Sequence, residues 1–155
     1  MRVDETAGLP PRPESVGEWE DLLVRLEIVP RVVRNTVDDS AAGEDAVRLL
    51  RAATEREAAV GRWLEAASGM DEPGRPPFEP GSDAAAADLA LRFASLRART
   101  FAMVQRRGLE VWRWSASLDD GGAATVHQVL LWLSARDADL LSGLRAAALS
   151  ARVAC

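Results

Sequence analysis

The sequence contains no lysine and no tyrosine, and has one histidine (His127) and one cysteine (Cys155). A lone thiol excludes a disulfide within the chain, and one His with one Cys excludes a zinc ribbon or a Cys/His metal cluster. The absence of lysine removes Schiff-base and Walker-type chemistry. All 19 basic side chains are Arg, and they are spread among carboxylates to give a net charge of −5. An acidic chain without a basic stripe is a poor ligand for a phosphate backbone, so nucleic acid is not an expected partner. No apolar run approaches the roughly 20 residues of a membrane span, so no membrane is expected either. Met1-Arg2-Val3-Asp4-Glu5 lacks the apolar stretch of a signal peptide, and with one thiol the expected compartment is the cytoplasm.

The 155 residues predict a single domain, 1–155. A hydrophobic content of 48% against 28% charged residues predicts a folded chain. The Arg-only, Ala-rich composition resembles codon bias in a GC-rich bacterial genome. Residues 1–13 carry Pro10, Pro11 and Pro13 and predict an irregular arm. Ser15-Val16-Gly17-Glu18 fits a capping box, after which Trp19, Leu22, Leu26, Val29, Val33 and Val37 recur at helical spacing. Pro30 predicts a kink or short break in this helix.

Ser40 is a candidate N-cap for a second helix over about 42–68, with stripes through Val47, Leu50, Thr54 and Leu64 and through Leu49, Ala53, Val60 and Trp63. Residues 69–82 hold four prolines and three glycines and predict a long linker. A third helix begins near Asp83, with a stripe through Leu89, Phe93, Leu96, Thr100, Met103 and Val104, and ends at Gly108. Thr125-Val126-His127-Gln128 is a second capping box that opens a last helix reaching about Ser150. No segment predicts a strand. The expected fold is all-α, a four-helix up-down-type bundle with one long Pro-rich connection.

Two acids break the apolar stripes. Asp137 falls between Leu133 and Leu140, and Glu57 between Thr54 and Gly61. A buried carboxylate needs a partner. Either each pairs with a facing Arg (Arg56, Arg92 or Arg99), or the two line a polar pocket between helices. His127, in the first turn of the last helix, reads as a solvated or capping residue. Trp112 and Trp114 stand in the loop before the glycine turn. In a locally straight segment both would lie on one side and close over the bundle end. No residue is singled out as catalytic.

The order of these motifs resembles the DinB-like (damage-inducible) superfamily, which includes YfiT-like metal-dependent hydrolases and mycothiol-dependent maleylpyruvate isomerases. The resemblance is carried by Leu26-Glu27-Ile28-Val29-Pro30-Arg31 and by Asp45-Ala46-Val47-Arg48-Leu49-Leu50-Arg51-Ala52. It continues through Pro77-Phe78, Phe93, Arg97, Val111-Trp112-Arg113-Trp114 and the helix opening Thr125-Val126-His127-Gln128-Val129-Leu130-Leu131-Trp132-Leu133. It implies a DinB-like bundle over nearly the whole chain and a divalent metal held by three histidines. Those three positions fall here at Leu49, Arg136 and Leu140. Leucine has no donor atom, and a guanidinium repels a cation. The expectation is therefore a member without its metal, with no cofactor. Its ligand-pocket candidates are Leu49, Glu57, Arg136, Asp137, Leu140, His127 and Trp112. A small ligand, anionic if Arg136 meets it, or a partner protein would bind in or near the degenerate site. A thiol-transferase- or hydrolase-like enzyme using carboxylates and Arg is one alternative, so whether the chain is an enzyme stays open. A structural or regulatory homodimer without ligand is another.

Overall fold

The computed structural model describes residues 3–38, 43–69, 84–106, 108 and 110–153. Its elements are α1 (Val3–Thr6), α2 (Val16–Asp38), α3 (Glu44–Ala67), α4 (Ala86–Arg106), a 3-10 turn (Val111–Arg113), β1 (Ser115–Ser117), β2 (Ala123–Thr125) and α5 (Val126–Val153). The fold is an all-α four-helix bundle, α2 to α5. Among the described residues no helix is long and apolar enough to cross a membrane.

One capping box forms fully and the other in half. The Glu18 amide donates to Ser15 Oγ at 3.1 Å, although the Glu18 carboxylate returns to the amide of Glu14 rather than to that of Ser15. At α5 the exchange is reciprocal: the Gln128 amide donates to Thr125 Oγ1 at 3.2 Å, and the Thr125 amide to Gln128 Oε1 at 3.0 Å. Helix α2 runs through Pro30 without a break, so of the expected kink or short break the break does not occur. Helix α3 is capped by Gly43 with no side-chain bond. Ser40, Asp83, Pro77, Phe78 and Cys155 lie outside the described residues, as does nearly all of the Pro-rich segment.

The direction of each helix follows from its contacts. Thr54 in α3 reaches Leu89 in α4, Glu57 meets Arg97 and Thr100, and Glu65 pairs with Arg99, so α3 and α4 run parallel. Leu49 meets Gly143 while Glu57 and Asp137 share a partner, so α3 and α5 are antiparallel. The order is up-down-down-up. Helix α3, with 24 residues, is roughly 36 Å long. The chain from Ala67 to the start of α4 must travel back over about that length. The residues between Ala67 and Ala86 suffice, since about 18 residues reach at most roughly 60 Å. A long connection is thus a requirement of the topology.

Two apolar clusters fill the bundle. One joins Trp19, Leu22 and Leu26 to Val60, Leu64, Phe101, Val104, Val111, Leu130 and Leu133. The other joins Val29, Val33 and Val37 to Leu50, Leu89, Phe93, Leu140 and Leu144.

Two expectations at the chain's irregular parts are corrected. The arm contains the short helix α1, whose Thr6 is buried. A small antiparallel hairpin stands where no strand was expected, pairing Ser115 with Thr125 and Ala116 with Ala124. It closes through the Asp119–Gly122 turn, where Gly121 has φ +83°, a conformation that favours glycine. Trp63 Nε1 donates to the Ser117 carbonyl at 3.0 Å and ties the hairpin to α3.

Candidate functional site

Between the two apolar clusters lies a fully buried ion cluster. Arg97 takes a core position on α4, one turn after Phe93 and one before Thr100. All five of its N–H groups are used. Nε and Nη2 donate to the two oxygens of Glu57, each at 2.9 Å. Nη1 and Nη2 donate to the two oxygens of Asp137, at 2.9 and 3.0 Å. The second Nη1 hydrogen goes to the Leu26 carbonyl at 2.9 Å. Thr100 Oγ1 adds a bond to Glu57 at 3.1 Å.

The sequence expectation that Glu57 and Asp137 face an Arg is met, but the partner is Arg97, not Arg56, Arg92 or Arg99. Both carboxylates are closed in the interior and bound to the same cation, so they do not line an open polar pocket. One cation against two carboxylates leaves one excess negative charge. Arg56, half-buried beside them, is held below the ordinary guanidinium value by burial, against the opposing pull of Asp137. Burial also works against the charge on Arg97, but Glu57 and Asp137 outweigh it and hold Arg97 above its ordinary value. Burial pushes the Asp137 carboxyl up, with the Arg97 hydrogen bonds opposing it.

The positions at which the family resemblance places metal ligands do not fit a metal. Leu140 is buried in the second cluster, and Leu49 packs against that cluster from its edge. Leu49 also fills the space over Gly143, where an added Cβ would come within 2.9 Å of Leu49 Cδ1. Arg136 is a half-exposed cation that pairs with Asp139 at 3.3 Å and with Glu5 of α1 at 3.7 Å. Among the described residues no group of three or more His, Cys, Asp or Glu side chains could hold a metal ion.

An opening lies elsewhere, at the end of the bundle where α2 and α5 begin. A groove of about 800 Å³ is lined by Pro10, Pro11, Pro13, Val16, Trp19 and Trp112 together with the polar residues Arg12, Glu14, Ser15 and Glu110. Trp112 belongs to the 3-10 turn, so Trp112 and Trp114 do not form the straight pair that the sequence suggested. Arg113 stacks on the Trp112 ring, its Cζ 5.6 Å from the centroid, and pairs with Glu110. Trp114 packs against the first cluster, and its carbonyl accepts the Val126 amide at 2.8 Å.

One wall of the groove is the N-terminal arm, held by three successive carbonyls. Gln128 Nε2 donates to Leu9 O at 2.9 Å, His127 Nδ1 to Pro10 O at 3.0 Å, and Thr125 Oγ1 to Pro11 O at 2.8 Å. His127 is therefore neither the solvated nor the capping residue that the sequence led one to expect. It is wholly buried, its ring 6.1 Å from that of Trp19, and its Nε2 has no hydrogen-bond partner among the described residues. A carbonyl can only accept, so Nδ1 carries the ring proton.

Of the sequence candidates, the structure brings together Glu57 and Asp137. It places His127 one layer behind the groove that Trp112 lines, and Leu49, Arg136 and Leu140 are not among the residues that line that groove. Sequence reasoning missed the groove because its wall is made by an arm read as irregular. The signal was the run of prolines at 10, 11 and 13, which fixes backbone dihedrals and presents carbonyls without competing amides. Comparison of the chain with protein-family models, with curated proteins and with solved structures finds no match.

Proposed function

We propose that the chain is a DinB-like binding protein that has given up the family's metal chemistry and takes a small, largely apolar ligand in the groove between the N-terminal arm and Trp112. The observation that carries this reading is the groove itself. Its volume of about 800 Å³ and its lining of prolines and tryptophans, with a few polar groups among them, match the usual composition of small-molecule sites. A binding role is favoured over a catalytic one because the two interior carboxylates are already committed to Arg97. An acid or base needs a lone pair or proton within reach of a substrate. The location differs from the degenerate metal position, which packing closes.

The test uses anilinonaphthalene sulfonate, a fluorescent aromatic probe. Saturable enhancement of its emission by the folded chain, lost on Trp112→Ala with the helical circular dichroism unchanged, is the expected result. Equal binding by Trp112→Ala and the parent chain would overturn the assignment.

A further inference from the structure

We propose that the N-terminal arm is a strap whose docking on α5 is coupled to occupancy of the groove, with His127 as its central clasp. This rests on the reading of the groove as a ligand site. The clasp sets three donors from the start of α5 on three consecutive acceptors: Thr125, His127 and Gln128 bind Pro11, Pro10 and Leu9. Two of the three donors also form the capping box of α5. The strap is thus latched to the start of the helix rather than to a loop. Glu5 of α1 adds a longer contact to Arg136. Gly8, with φ +84° between α1 and the clasp, supplies the bend that brings Leu9 back over α5.

Pro10, Pro11 and Pro13 of the arm and Trp19 and Trp112 of the bundle line the groove together. A ligand touching both arm and bundle therefore binds only when the strap is docked. Anything that binds one state alone shifts the equilibrium toward it, so ligand must hold the strap down, and loosening the strap must weaken the ligand. His127 is suited to be the clasp because its bond lies at the centre of the three and its ring packs beside Trp19, whose indole lines the groove. Undocking would bare a buried imidazole and the Trp19 face together.

His127 is the only histidine in the chain, so imidazole-labelled histidine gives a single ring to follow by nitrogen NMR. In the free protein the Nδ1–H tautomer is expected. With anilinonaphthalene sulfonate at about one hundred times its Kd, strap opening becomes about one-hundred-fold rarer, and exchange of the Nδ1 proton with solvent slows by the same factor. His127→Phe keeps the ring volume and removes the donor. Its Leu9 amide is expected to exchange about five-fold faster in the free chain and to regain protection when the probe is added. Probe binding that leaves the His127 proton exchange unchanged would overturn the strap and spare the groove. Absence of probe binding would overturn both. A ring found with its proton on Nε2 would also refute the clasp.

Discussion

Pro30 and Arg97 serve the same carbonyl. Pro30 has no N–H, so the oxygen of Leu26, four residues earlier in α2, lacks its usual helical donor. Arg97 supplies one from α4 at 2.9 Å. A defect in one helix is thus repaired by the side chain that also neutralises acids from two others.

Replacing Pro30 tests this relationship. Alanine is favoured over proline in a helix interior by about 3 kcal/mol. Here the missing bond is already replaced, and an alanine amide would compete with Arg97 for Leu26. Pro30→Ala is expected to gain less than about 1 kcal/mol in urea unfolding. A gain near the full helix value would show that Arg97 contributes nothing at that carbonyl.

Arg97→Met leaves Glu57 and Asp137 buried without a cation, and is expected to cost about 3–5 kcal/mol. Adding Glu57→Met and Asp137→Leu to it removes the stranded charges, and the triple variant is expected to recover most of that loss. Equal instability of the single and triple variants would mean that packing, and not charge, dominates the site.

Asp137 sets the sign of a pH effect. Its folded-state value is raised above the ordinary 3.8, chiefly by burial. The native state then holds its proton at a pH where the unfolded chain has lost it. The stabilisation from this group is complete below the ordinary value and is lost as pH rises through the raised one. The stability of the parent chain minus that of Asp137→Asn is therefore expected to fall with rising pH across that window and then level off. A difference that grows with pH would contradict the burial account.

Gly143 lies inside α5, where alanine is ordinarily better by about 1 kcal/mol. Its Cβ would press on Leu49 Cδ1 at 2.9 Å, so Gly143→Ala alone is expected to show little or no gain. In a Leu49→Ala background the same change is expected to stabilise, giving a measurable coupling in a double-mutant cycle. Additive effects would place the two residues out of contact.

Much of the bundle was legible in the sequence. The α2 stripe from Trp19 to Val37 is buried residue for residue, because every member is apolar and the spacing holds. The α4 stripe was read through Leu96, whereas the core takes Arg97 and leaves Leu96 half-buried. Local pattern sends a charge outward; only the acids on α3 and α5, 40 residues away in each direction, make burial of this one tolerable. His127 escaped for a similar reason, since its acceptor lies 117 residues earlier in the chain. The hairpin was missed because strands of three residues leave almost no alternation to detect.

The commitment of all five Arg97 hydrogens also governs which bundle can form. Alanine- and leucine-rich stripes can interlock at several offsets with similar burial. Sliding one helix by a turn, about 5.4 Å, would leave apolar contacts broadly intact but would strand a carboxylate in an apolar interior. The guanidinium, tied to α2, α3 and α5 at once, therefore acts as a gauge for axial position. Ions at the centre of the molecule give the four helices a single shared zero from which every other contact is measured.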